Sequence, residues 1–114
     1  MTAVDDLTRA RTETLAQIDV LTREFDEVVA ASASSNADDE HDPEGATIAF
    51  ERQQLAALLE SAHRRLADVD AALVRAATGD YGRCVECGQE IAPERLAARP
   101  QARTCIACAT AARA

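Results

Sequence analysis

The sequence predicts an all-α protein, an antiparallel coiled-coil helical hairpin followed by a small C-terminal lobe. Three observations carry that expectation. Hydrophobic residues make up 47% of the chain but aromatic residues only 3%, and Gly and Pro number four and three. That composition favours long helices over a core built on large rings. Two long stretches repeat apolar residues at alternating three- and four-residue steps, the signature of a helix with one apolar seam. All four cysteines fall in the last third of the chain, in two close pairs.

The first helix is expected over about residues 4–33. Its seam runs through Val4, Leu7, Ile18, Leu21, Phe25 and Val28, with Arg11 and Thr14 as weak positions of the same heptad. It frays where Ser32, Ser34, Ser35 and Asn36 accumulate, because their side chains compete for backbone hydrogen bonds. The second helix is expected over about 43–78, with a seam through Ile48, Arg52, Leu55, Leu59, Ala62, Leu66, Val69, Leu73 and Ala76. Asp42-Pro43-Glu44 is its start signal: an acceptor for free N–H groups, a residue suited to the first turn, and a carboxylate for the positive dipole end. Thr78-Gly79-Asp80 is its stop, with Gly79 free to take the left-handed cap conformation.

Neither helix carries a second apolar face, so each buries its seam against the other. The short connection favours a hairpin within one chain, residues 1–79 with an acidic tip at about 37–45, and a monomer. Pairing between helices of two subunits is the alternative.

Residues 80–114 form the second domain. This piece is too small to fold by burial alone, since units below about 40 residues need a metal or disulfides. Cys84-x-x-Cys87, seventeen residues, then Cys105-x-x-Cys108 supplies four thiolates for one tetrahedral Zn²⁺. Four sulfur ligands leave no open position for water, so the zinc is structural. Gly88 permits a tight turn that aims backbone N–H groups at sulfur. The lobe is thus read as a four-cysteine zinc finger. Thiol redox chemistry is the competing use of C-x-x-C, although a dithiol enzyme carries one such motif in a strand–helix setting.

Charge narrows the function classes. Twenty acids against twelve Arg and no Lys give a net charge of −8, which excludes a general binder of phosphate backbones and argues against sequence-specific DNA binding. Residues 1–79 hold sixteen acids and seven Arg, whereas 80–114 hold four acids and five Arg. No nucleophile–base pair, open metal site or Gly-rich phosphate loop is visible, so no enzyme is expected. Charged residues through the first twenty positions exclude a signal peptide, and no stretch is apolar enough for a membrane span, which together predict a cytoplasmic protein.

From Gly79 the chain reads Gly-Asp-Tyr-Gly-Arg-Cys-Val-Glu-Cys-Gly-Gln-Glu-Ile, then Arg95-Leu96-Ala97-Ala98-Arg99-Pro100, then Cys105 to Cys108. This resembles the zinc finger of the DksA/TraR family of bacterial transcription regulators, and the hairpin agrees with that family's coiled coil. The resemblance implies a regulator that binds bacterial RNA polymerase rather than DNA. In that family the coiled coil enters the secondary channel, acidic tip residues approach the catalytic Mg²⁺ region, and promoter-complex lifetimes change. Some members cooperate with the alarmone ppGpp.

The matching tip here is Asp38, Asp39, Glu40, His41, Asp42, Pro43 and Glu44, five carboxylates in seven residues. The family's best-known tip reads D-x-x-D-x-A; Asp39 and Asp42 reproduce both acids, and Glu44 stands where Ala belongs. Arg95, Arg99 and Arg103 are candidates for contact with an acidic protein surface or a phosphorylated nucleotide, or braces of the lobe. His41 and His63 are read as solvated, and Tyr81 as a wedge against the lobe. Two other functions remain open beside polymerase regulation: a zinc/thiol redox stress sensor, and an adaptor whose coiled coil binds another protein.

Overall fold

The computed structural model describes residues 2–34 and 43–113. Four helices follow in order: α1 (Ala3–Ser34), α2 (Pro43–Thr78), α3 (Pro93–Ala98) and α4 (Ile106–Ala112). Among the described residues there is no β-strand, only an isolated antiparallel bridge between Arg83 and Glu90. No described helix is long and apolar enough to cross a membrane. The expected tip residues Asp38, Asp39, Glu40, His41 and Asp42 lie outside the described residues, and Glu44 enters only as backbone in the first turn of α2.

α1 starts with a reciprocal cap that the sequence reading overlooked. The Asp5 N–H donates to Thr2 Oγ1 and the Thr2 N–H donates to Asp5 Oδ2, both at 3.1 Å. These bonds satisfy two backbone donors at the helix start and hold the Asp5 carboxyl below its ordinary range. α2 opens on Pro43, whose missing N–H costs nothing in the first turn.

The chain packs as two compact units, Met1–Thr14 with Arg65–Ala114, and Leu15–Arg64. In the first, the start of α1 lies against the end of α2 around Leu7, Ala10, Val69 and Ala72, with Leu73, Ala76 and Tyr81 packed on that cluster. Arg11 Nε donates to Asp70 Oδ1 at 2.8 Å across the two helices. In the second, Leu21 and Ala62 are buried, and Ile18, Phe25, Val28, Leu55 and Leu59 are half-buried. In each unit later residues of one helix meet earlier residues of the other, so the pairing is antiparallel.

The seams differ from strict heptads in instructive places. Ala10 is buried where Arg11 was expected, because a guanidinium cannot enter an apolar seam unpaired and instead meets Asp70 at its edge. The inward-facing positions of α1 then run 7, 10, 14, 18 and 21, all buried except the half-buried Ile18, a local four-residue insertion into the heptad. Thr14 is fully buried, its hydroxyl donating to the Ala10 carbonyl at 2.7 Å. Arg52 is exposed, and Ala72 is fully buried while Leu73 is half-buried against the same cluster. Small residues at these points suit two helices packed closely.

Candidate metal centre

The centre is assembled from the end of α2 outward. Gly79 adopts φ +86°, and the Asp80 N–H reaches back to the Arg75 carbonyl at 2.9 Å. This is the six-to-one bond of a left-handed helix cap, and it turns the chain off the helix axis. Tyr81 then packs on the Leu7 cluster while its hydroxyl donates to the Pro100 carbonyl at 2.9 Å. One half-buried ring therefore ties the helical core to the segment that leads to the second cysteine pair.

Residues 82–91 fold into a tight knuckle. The Ile91 N–H donates to Gly82 O and the Cys84 N–H to Gln89 O, both at 2.8 Å, and the Gly88 N–H donates to Cys84 O at 3.0 Å. Gly88 sits at φ +76°, a backbone shape that a Cβ would strain. The second pair is carried by the start of α4, with Cys105 just before the helix and Cys108 in its first turn. Two cross-links set the pairs face to face. The Val85 N–H donates to Arg103 O, and Arg95 Nε from α3 donates to Thr104 O, each at 2.9 Å.

The result is four sulfur atoms that all lie within 4.8 Å of one another. Cys87 Sγ and Cys105 Sγ are 3.8 Å apart, and all four cysteines are free thiols. Zn–S bonds of about 2.3 Å arranged tetrahedrally require S···S separations of about 3.8 Å. A disulfide would need about 2.05 Å. The spacing is therefore that of a metal cage, not of two bridges. Cys84 is buried and Cys87 is exposed, with Cys105 and Cys108 between.

The electrostatics agree with the geometry. Backbone N–H groups of Cys87, then Cys105 and Glu86, point at Cys84 and lower its thiol to about 6. The crowding thiols of Cys105, Cys87 and Cys84 push Cys108 up to about 12. Four sulfurs this close cannot all ionise beside one another unless a cation sits among them. A bound Zn²⁺ supplies that charge and holds the four thiolates in a closed shell. The donor set fits the ion, and the protein holds a site for one.

The other expected residues are dispersed around this centre. Arg95 braces the lobe through Thr104, while Arg99 and Arg103 are exposed. His63 is exposed on α2. Tyr81 does pack against the lobe, but it also touches the helical core, a contact its position before Gly82 did not announce.

Residues 79–113 match the prokaryotic dksA/traR C4-type zinc finger family. Over 97% of its length the chain is similar to the solved structure of the transcription factor DksA2 from Pseudomonas aeruginosa, with 32% sequence identity, a TM-score of 0.75 and 80% of that chain covered. No curated protein sequence matches it at a significant level. A four-sulfur cage inside the matched finger and a structural likeness spanning nearly the whole chain lead to one conclusion: the chain belongs to the DksA/TraR family of C4-type zinc finger proteins and is a DksA-like transcription factor.

Proposed function

We propose that the chain regulates transcription by binding bacterial RNA polymerase through its secondary channel. The hairpin of residues 1–79 enters the channel and the finger of residues 80–114 stays outside. The observation that carries this reading is the 32% identity to a DksA transcription factor across 97% of the chain. One structural Zn²⁺, held by Cys84, Cys87, Cys105 and Cys108, keeps the lobe rigid. The regulatory charge is the tip formed by Asp38, Asp39, Glu40, Asp42 and Glu44, whose carboxylates are suited to Mg²⁺ or to cations near it. Arg99 and Arg103 offer exposed guanidiniums to an acidic surface of the polymerase or to a phosphorylated nucleotide such as ppGpp. The protein acts by binding and carries out no reaction of its own.

The test separates affinity from effect. Asp39→Asn with Asp42→Asn removes two tip charges at constant side-chain size, and Asn caps a helix about as well as Asp. Retention of purified polymerase should survive the double substitution, while the change in promoter-complex lifetime should shrink sharply. Regulation equal to that of the unmodified chain would refute the role of the tip, and absence of polymerase binding would refute the reading altogether.

A further inference from the structure

The turn that leads into the second cysteine pair is buried against α2. Arg99-Pro100-Gln101-Ala102 closes on itself, the Ala102 N–H donating to the Arg99 carbonyl at 2.9 Å, with proline at the turn's second position. Gln101 and Ala102 fall inside the protein, at 9% and 8% exposure. Arg75, in the last turn of α2, donates from Nη2 to the Ala102 carbonyl at 3.5 Å, the long limit of a hydrogen bond. Among the described residues, Arg75 Nε and Gln101 Oε1 are the side-chain polar atoms buried without a hydrogen-bond partner.

Either atom alone would be costly, because burial strips its water and supplies nothing in return. Together they are complementary. Nε–H is a donor and Oε1 an acceptor, and the guanidinium that carries the first also reaches the carbonyl of the residue after Gln101. They do not bond to each other directly. One donor facing two acceptor oxygens, Gln101 Oε1 and Ala102 O, is a set that a single water satisfies. It accepts from Nε–H and donates to both oxygens, three bonds in all, the usual number for an internal water. An anion would meet two acceptor oxygens here, and a cation would meet a guanidinium. The position matters because the carbonyls on the path to Cys105 are tied from both sides. Tyr81 and Arg75 hold Pro100 O and Ala102 O from the helical side, while Val85 N–H and Arg95 hold Arg103 O and Thr104 O from the cage side. The long Arg75 bond is the weakest of these ties.

We propose that Arg75 and Gln101 are positioning residues of the metal centre, joined by one internal water that fastens the turn at residues 99–102 to α2 and so fixes Cys105 for the ion. The water completes the tie that the long Arg75 bond leaves weak. A metal's affinity depends on the groups that orient its ligands as well as on the ligands themselves. Here that support comes from α2, a helix that contributes no sulfur. The assignment rests on the zinc centre and not on polymerase binding.

The experiment uses the zinc-loaded full chain and reads two quantities, the thermal midpoint and the rate of zinc transfer to a chromogenic chelator, the latter well below every midpoint. Arg75→Met and Gln101→Met each strand the other group, and each should lower the midpoint by about 4–8 °C. The double variant strands neither and should regain most of that loss, since replacing both partners by apolar groups of similar shape is nearly neutral. Zinc transfer should nonetheless be about tenfold faster in both single variants and in the double, because none of them retains the polar tie. Arg65→Met, an exposed guanidinium on the same helix, is the control and should change neither reading. A crystal structure of the loaded chain should show one water oxygen within hydrogen-bond distance of both Arg75 Nε and Gln101 Oε1. Additive losses in the double variant, or a direct Arg75–Gln101 contact in the crystal, would overturn the bridge. Zinc transfer unchanged in the three variants would overturn the positioning role. An unmodified chain that retains no zinc would overturn the centre and this assignment together.

Discussion

Tyr81 is the one tyrosine of a chain without tryptophan, and it sits where the helical core meets the zinc lobe. Tyr81→Phe keeps the ring on the Leu7 cluster and deletes only the hydroxyl that donates to the Pro100 carbonyl at 2.9 Å. A neutral hydrogen bond of this kind contributes about 1 kcal/mol net. An entropy of unfolding of about 2.1 cal/mol/K per residue makes that loss worth about 4 °C in Tm for a chain of 114 residues. Tyr81→Ala removes the ring as well. Deleting a fully buried ring costs about 3–5 kcal/mol, and half burial brings this to about 2 kcal/mol, so with the hydroxyl's share the total drop should be about 12 °C. Thermal unfolding of the zinc-loaded protein by circular dichroism gives both values. In the unmodified chain, tyrosine emission reports the same latch and should change in the same transition. Phe at position 81 within 1 °C of the unmodified protein, or Ala no worse than Phe, would show that Tyr81 does not join the lobe to the core.

Three further outcomes follow from the same unit. Burial, then the nearby Asp6 carboxylate, raises the Tyr81 phenol above 10, so its ultraviolet titration should have a midpoint above that of free tyrosine. Because the folded value is the higher one, its contribution is complete below pH 10 and is lost as pH rises through the folded value. Metal analysis should find one zinc per chain. Cys84→Ser should abolish tight retention and loosen residues 80–113 while much of the hairpin signal in circular dichroism persists; a fully ordered metal-free lobe would refute the structural role of the ion. Under mild oxidant the loaded centre should keep its zinc until the lobe unfolds, since thiolates in a closed zinc shell are poor nucleophiles; reversible zinc release with altered transcription would favour the redox-sensor alternative.

The fold class was legible because the signals that define it are local and redundant. Two apolar seams, scarce breakers and two C-x-x-C pairs survive an error at any one position. Where the sequence reading slipped, the outcome depended on a partner far along the chain. The heptad placed Arg11 in the seam, yet Asp70, fifty-nine residues away, draws it to the edge and Ala10 takes its place. The cysteine cage was readable from spacing, but the bonds that close it were not. Arg95 to Thr104 and Val85 to Arg103 join segments whose approach only the folded lobe defines. The Thr2-x-x-Asp5 cap carries a signal of its own, a Thr three residues before an acid at a helix start, that is independent of the apolar seam.

The distribution of charge carries the last step from structure to function. The short helices α3 and α4 bury no residue, and the lobe's buried apolar side chains are few, Ile91 and Ala102 beside Cys84, so the lobe leans on its backbone bonds and its metal. The hairpin has the opposite economy: its seam is thin, and its ion pairs are exposed side chains such as Arg23 with Asp19 and Arg64 with Glu60. Such pairs contribute about 0–1 kcal/mol each. Residues 1–79 nonetheless carry nine more acids than bases, sixteen against seven. Self-repulsion of that excess opposes folding, and nothing described within the chain neutralises it. A scaffold of this size gains no stability from such a charge, and the lobe, with five Arg to four acids, does not answer it. On the proposed polymerase reading, the excess is the charge that a hairpin entering a cationic channel would carry.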